Sequence, residues 1–203
     1  MAYMLEIKNL HKTFNKGTIN EKVALAGVNL QLNPGDFVTI IGGNGAGKST
    51  TLNAIAGVWP VDQGNIIVDG VDITNLPEHK RASYLGRVFQ DPMTGTAATM
   101  SIEENMAIAA RRGKKRGLGW GITKKEREEF KEQLKELDLG LDERMSSKVG
   151  LLSGGQRQAI TLLMAAIQEP KLLLLDEHTA ALDPKTAAKV LAISEKLIAE
   201  HHL

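Results

Sequence analysis

A chain of 203 residues has the size of one ordinary domain and can bury roughly 70% of the surface its unfolded form exposes. Apolar residues make up 42% and charged residues 24%, which excludes the disordered and fibrous classes. Twenty-five basic against 24 acidic side chains leave a net charge of +1, too little to draw in DNA or an anionic bilayer at long range, and the absence of cysteine excludes disulfides and thiolate metal sites and fits the cytoplasm.

The first ten residues contain no uninterrupted apolar stretch, and the most apolar run, residues 159–167, is too short to span hydrocarbon. The chain is therefore expected neither to cross nor to enter a membrane. Val28, Leu30 and Leu32 alternate with polar residues and meet Pro34-Gly35, the pattern of a half-buried strand closed by a turn. Residues 37–41 are apolar at nearly every position, as a strand covered on both faces in a parallel sheet is.

Residues 42–49, Gly-Gly-Asn-Gly-Ala-Gly-Lys-Ser, follow that run and precede a helical segment. They fit the phosphate-loop pattern G-x-x-x-x-G-K-S/T, and the strand-loop-helix placement favours that reading over a bare glycine turn. Glycines let several backbone amides approach phosphate oxygens, and the helix behind adds a favourable dipole. Asn44, Gly45, Ala46 and Gly47 form the cradle. Lys48 carries the charge for the β- and γ-phosphates, Ser49 a hydroxyl ligand for Mg²⁺, and Thr50 an α-phosphate contact.

Short strands are read at Ile66-Ile67-Val68, before an Asp69-Gly70 turn, and at residues 85–89. Ser101 with Glu104, and Thr123 with Glu126, each form a Ser/Thr-x-x-Glu capping box at a helix start. In the second helix Phe130, Leu134, Leu137 and Leu141 recur at helical spacing. A basic, Gly-rich stretch from Arg111 to Gly121 reads as a solvated surface loop between the two helices.

Ser153 is a natural N-cap for a Gly-rich helix start, Leu-Ser-Gly-Gly-Gln at residues 152–156, with Ile160, Leu163 and Ala166 behind it. That makes a second anion-binding helix terminus. The strand at residues 172–175 ends in Asp176 and Glu177, where ligands bind in open α/β sheets. After a phosphate loop, Asp176 reads as holding Mg²⁺ through water and Glu177 as polarising the attacking water; the alternative is a pair of solvated strand-end acids. Asp183-Pro184 opens a long final helix whose expected buried stripe is Ala187, Val190, Leu191, Ser194, Leu197 and Ile198. The element order implies an α/β core carrying a helical subdomain at about residues 91–150.

The phosphate loop, LSGGQ and LLLLDE, in that order and with a helical insert before LSGGQ, resemble the ATP-binding-cassette ATPases over nearly the whole chain. LSGGQ discriminates, because generic nucleotide-binding proteins have no counterpart. The resemblance implies an α/β P-loop NTPase core with an N-terminal antiparallel β-subdomain, formed by residues 1–90 and 151–203, and the helical subdomain inserted between them. It implies ATP and Mg²⁺ as ligands, and a head-to-tail dimer in which ATP lies between the phosphate loop of one subunit and Ser153, Gly154, Gly155 and Gln156 of the other. Gln90 matches the glutamine that senses Mg²⁺ and connects to the helical subdomain, Phe14 the aromatic that stacks on adenine with Val23 beside it, and Asp183 the acid that couples the two sites.

His178 stands where relatives commonly have proline, and Ala159 and Met164 where they often have arginine. Relatives usually carry a switch histidine on a strand after the helix that Asp183 begins. Here that helix runs to His201-His202-Leu203, so neither histidine is assigned the role and the sequence is expected to be cut short. The expected function is the ATPase subunit of a membrane transporter, of the bacterial importer type, paired with a second copy or a related cassette. A permease, and a substrate-binding protein with it, would hold it at the inner face of the membrane, with the permease contact sought at residues 93–100. A soluble ATPase acting on DNA or ribosomes is the alternative. The long coiled-coil insert or second cassette of such proteins is absent, only 4% of residues are aromatic, and no nucleic-acid partner is expected. A small-molecule kinase or GTPase would leave LSGGQ unexplained.

Overall fold

The computed structural model describes residues 3–91, 93–114, 121–180 and 182–200. The sequence readings at residues 115–120, Ala181, His201 and His202 lie outside them. The chain divides after Leu85 into two compact units.

In the first unit, strands β1 (Leu5–Phe14), β2 (Lys22–Leu32), β3 (Gln63–Val68) and β4 (Val71–Asp72) form an antiparallel sheet in the order β2-β1-β3-β4. Period-2 alternation puts Leu5, Ile7, Ile66 and Val68 on the buried face. The Asp69-Gly70 turn joins β3 to β4 as the sequence indicates, and Asp36 N–H closes the Pro34-Gly35 turn on Asn33 C=O at 3.2 Å.

Helix α1 (Lys48–Ala56) buries Ala54 and Ile55, and a short helix α2 (Glu78–Arg81) follows β4. Arg81 is 2% exposed. Its guanidinium donates to the Ala54 and Ile55 carbonyls at 2.7 and 2.8 Å, and to Leu76 and Thr74. A cation thus satisfies the orphan carbonyls at the C-terminal end of α1 and meets the negative end of its dipole.

Strand β5 (Leu85–Val88) stands at the division. The second unit continues with α3 (Ile102–Ala110), α4 (Lys124–Glu136), α5 (Gly154–Ala166), β6 (Leu172–Leu175) and α6 (Pro184–Glu200), and β5 and β6 pair in a two-stranded sheet. Both capping boxes form as expected, Ser101 with Glu104 and Thr123 with Glu126. One apolar cluster joins the elements: Ile102 and Met106 of α3, Phe130 and Leu134 of α4, Leu137, Leu141 and Val149 beyond it, Ile160 and Leu163 of α5, and Leu197 of α6. Lys189 and Lys196 of α6 also donate to the Asp138 and Glu136 carbonyls at 2.9 and 3.3 Å.

Three expectations are corrected. Residues 37–41 form no strand, and Phe37 and Ile41 are 69% and 90% exposed. A strand exists only through its ladder with a neighbour, and the first unit's sheet ends at β2 and β4 without taking this run as a fifth member. The basic stretch is not simply solvated at its start: Arg111 pairs with Glu126 at 2.9 Å, and Arg112 donates to the Ala165 carbonyl at 3.1 Å. On α6, Ile193 is buried and Leu191 is 45% exposed. Val190, Ile193, Ser194 and Leu197 follow the i, i+3, i+4, i+7 rule, and Leu191 lies off that stripe.

Candidate nucleotide site

The phosphate loop is built against β2. Gly47 closes it with φ +93° as the N-cap of α1, and a Cβ at that position would stand 2.8 Å from the Ala24 carbonyl oxygen. Both the backbone conformation and the close approach therefore require glycine. Ala46 N–H donates to Gly43 C=O at 3.2 Å, and Thr51 ties the first turn to Gly47 C=O through its N–H at 2.8 Å and its hydroxyl at 2.9 Å.

Asn44, Gly45 and Ala46 are exposed on the loop; Ser49 is exposed and Thr50 half-buried in the first turn of α1. The Lys48 ammonium folds over the loop and donates to the Gly42 and Gly43 carbonyls at 2.9 and 3.3 Å. With a glycine cap and no acidic side chain in the first turn, this helix start is open to an anion. Phe14, half-buried, ends β1 with its ring against Trp59. Val23 lies across the ladder from Thr13 and is 59% exposed.

The second unit gathers the other motifs. Asp176 follows β6, its N–H donating to Val88 C=O at 3.1 Å, so the strand pairing places its carboxylate at the strand's end. Glu177 adopts φ +43°, a conformation rare for residues other than Gly, Asn and Asp that marks local strain. Gln90 Nε2 donates to Glu177 Oε2 at 3.4 Å. The structure therefore brings together two residues 87 positions apart that sequence reasoning assigned to one reaction.

His178 is half-buried beside Ser194 Oγ at 3.3 Å, and burial holds its pKa below the usual value of 6.5. Asp183 caps α6 by accepting from Thr186 N–H at 3.1 Å. Hydrogen bonds from the Thr186 side chain, and then from its backbone, hold the Asp183 carboxyl below its usual pKa.

Ser153 caps α5 as expected, in a reciprocal box: Ser153 Oγ accepts from Gln156 N–H at 3.3 Å, and Gln156 Oε1 accepts from Ser153 N–H at 3.1 Å. A Cβ on Gly155 would collide with Thr186 Cγ2, and one on Gly154 would lie 3.4 Å from Leu182 Cδ2. The two glycines thus let the start of α5 lie against the start of α6.

Residues 25–180 match the family model described as ABC transporter. The chain belongs to the ABC transporter family. It is 42% identical over 200 residues to the tyrosine transport ATP-binding protein of Clostridioides difficile, covering 98% of this chain and 79% of that one. It is 38% identical to the spermidine/putrescine import ATP-binding protein PotA of Haemophilus influenzae, covering 90% of this chain but only 44% of that one. Among solved structures, the dimeric ATP-binding cassette MJ0796, in a post-hydrolysis state bound to ADP and Pi, superposes with a TM-score of 0.80 at 32% identity, covering 97% of this chain and 84% of that one. This ABC protein is an ATP-binding, ATP-hydrolysing subunit that energises a membrane transporter, with the fold of a P-loop NTPase cassette.

Several contributing residues escaped the sequence reading. Arg157, the residue after LSGGQ, donates to the Val149, Gly150 and Leu152 carbonyls at 3.4, 3.1 and 3.2 Å and reaches Met93 Sδ. It ties the approach to the signature to the segment after Gln90. Gln158, fully buried, donates to Phe89 C=O at 3.4 Å, beside Gln90. The Lys22 ammonium reaches the phosphate loop, 3.5 Å from where a Gly45 Cβ would be. Thr186 carried a local signal, three residues after the Asp183 N-cap, and Arg157 bonds carbonyls five to eight residues before it; Lys22 and Gln158 act across longer separations.

Proposed function

We propose that this ABC protein powers a bacterial-type importer, working as a head-to-tail dimer on the inner face of the membrane, docked to permease subunits that a substrate-binding protein supplies. The observation that carries the residue roles is the Gln90–Glu177 hydrogen bond, because it joins the sensor of the helical insert to the acid beside the reacting phosphate. The importer reading draws support from the transport and import relatives that align over at least 90% of the chain.

In this reading Asn44, Gly45, Ala46 and Gly47 cradle the phosphates with backbone amides, Lys48 holds the β- and γ-phosphates, and Thr50 meets the α-phosphate. Phe14 stacks on adenine with Val23 beside it. Glu177 accepts a hydrogen bond from the attacking water and draws its proton as the oxygen bonds to the γ-phosphorus and the bond from that phosphorus to the β–γ bridging oxygen breaks, releasing ADP and phosphate; Gln90 holds the carboxylate in that attitude. Ser153, Gly154, Gly155 and Gln156 of one protomer close on the phosphates bound by the other, and Asp183 couples the two sites.

The oxygen donors offered by the Ser49 hydroxyl, the Gln90 amide and the Asp176 carboxylate suit a hard divalent cation. Mg²⁺ is such a cation; it keeps several waters and binds through few protein ligands together with substrate phosphates. When bound, Mg²⁺ neutralises phosphate charge.

The core at residues 1–90 and 151–203 carries the nucleotide, and the insert at about residues 91–150 carries the motion to the permease. Met93, 47% exposed, lies at the start of the expected permease contact. No helix of the described residues is long and apolar enough to cross a membrane. Internal use of Arg111 and Arg112 takes two cations from the stretch that best supported a nucleic-acid partner.

Co-purification from gently solubilised cells tests the assignment. Recovery with a polytopic membrane protein that raises ATPase activity is expected, whereas recovery with ribosomes or DNA would contradict it.

A further inference from the structure

Phe14 is not an isolated ring. Its centroid lies 5.4 Å from that of Trp59 with the planes at 85°, an edge-to-face arrangement that aromatic pairs favour. Lys12 Nζ stands over the Phe14 ring, 5.4 Å from its centroid, within cation–π range.

Trp59 belongs to the segment leaving the far end of α1, the helix that the phosphate loop begins. That segment is fastened to β1 by its backbone as well. Asp62 N–H donates to His11 C=O at 2.9 Å, and Thr13 N–H donates to Asp62 Oδ2 at 2.6 Å. Lys12 Nζ lies 3.6 Å from Asp62 Oδ1. The Thr13 N–H bond, before any other group, holds the Asp62 carboxyl below its usual pKa, so the strap is charged at neutral pH. The strand end carrying Phe14 and the segment leaving the phosphate helix are therefore joined at one ring contact and three polar ones.

We propose that Trp59 and Asp62 are positioning residues for the adenine platform: Trp59 sets the attitude of the Phe14 ring, and Asp62 fastens the strand end that carries it to the segment leaving α1. The base and phosphate subsites are thereby held in one frame before nucleotide arrives. A ring fixed in advance spares the cost of ordering it on binding. The proposal rests on the reading of Phe14 as the adenine-stacking group.

The test compares two ligands, Mg-ADP and Mg-pyrophosphate, which share phosphates and differ in the base. Their affinities for the full chain are measured calorimetrically with Trp59→Ala, Trp59→Leu, Trp59→Phe, Asp62→Asn, Phe14→Ala and the Trp59→Ala/Phe14→Ala pair. Trp59→Ala and Asp62→Asn are expected to weaken ADP about 2- to 10-fold and to leave pyrophosphate unchanged, with Trp59→Phe recovering most of the loss. In the Phe14→Ala background the Trp59 substitution has no further effect. Trp59 is 41% exposed, and Trp59→Leu keeps bulk there without the ring, so the comparison does not depend on one variant's folding.

Loss of ADP affinity in Phe14→Ala with none in the Trp59 variants overturns the proposal while the Phe14 reading stands. Equal weakening of both ligands overturns it as well, since a general structural role is then sufficient. An unchanged ADP-to-pyrophosphate ratio in Phe14→Ala removes the adenine reading itself, and the proposal with it.

Discussion

Gln90 and Glu177 are joined by a hydrogen bond of 3.4 Å between Nε2 and Oε2. The amide reaches the carboxylate from the end of β5, and the carboxylate sits on a residue held at φ +43°, so side-chain and backbone constraints together fix where the acid points. Gln90→Ala is expected to lower kcat about 10- to 100-fold, the range seen when a group orienting a reacting residue is removed, with ATP affinity changed less than about twofold. A kcat within about twofold of that of the parent protein would contradict the contact.

Gly155→Ala places a methyl group against Thr186 Cγ2 and forces the starts of α5 and α6 apart. Overpacking of this kind costs about 1–3 kcal/mol, which urea unfolding reads as a lower midpoint. Thr186→Ser removes the offending methyl and keeps the hydroxyl. The double variant Gly155→Ala/Thr186→Ser is therefore expected to recover most of the loss, and failure to recover would locate the strain elsewhere.

How much of this was legible in the sequence depended on the range of the interaction. The two capping boxes at Ser101 and Thr123, the Ser153 and Asp183 caps and the helix that starts behind the glycine-rich loop are local devices whose partners lie within a few residues, and each formed where the residues indicated. Residues 37–41 misled because an apolar run records only that a strand is covered if it pairs, and pairing is a non-local event. Arg81, Gln158 and Trp59 were illegible for the same reason: Arg81 meets carbonyls 26 and 27 residues away, and Gln158 one 69 residues away. Arg111 and Arg112 read as solvated because their composition is basic, yet long stems let them dock while their charge finds an internal partner.

Acid should loosen the helical part of the second unit through Glu126. Its carboxylate accepts from Thr123 N–H at 2.7 Å, from the Thr123 hydroxyl at 2.8 Å and from Arg111 at 2.9 Å. The Thr123 backbone bond is the main reason its pKa is held below 4.5. Because the folded pKa is the lower one, the unfolded chain takes up the proton first as pH falls. The stabilisation is fully present above pH 4.5 and is lost as pH drops through the folded value. Glu126→Gln is expected to be less stable at pH 7 and to show a flatter decline in urea midpoint between about pH 6 and pH 3; an unchanged slope would mean that other carboxylates carry the acid sensitivity.

Glu177→Gln in the full chain tests the central claim most directly, by single-turnover hydrolysis of MgATP alongside equilibrium ATP binding. The substitution keeps the shape of the side chain and removes the carboxylate proposed to accept the proton of the attacking water. The predicted result is retained ATP binding with hydrolysis slowed on the order of 10²- to 10⁴-fold. Hydrolysis at the rate of the unsubstituted protein would contradict the assignment of Glu177 as the base.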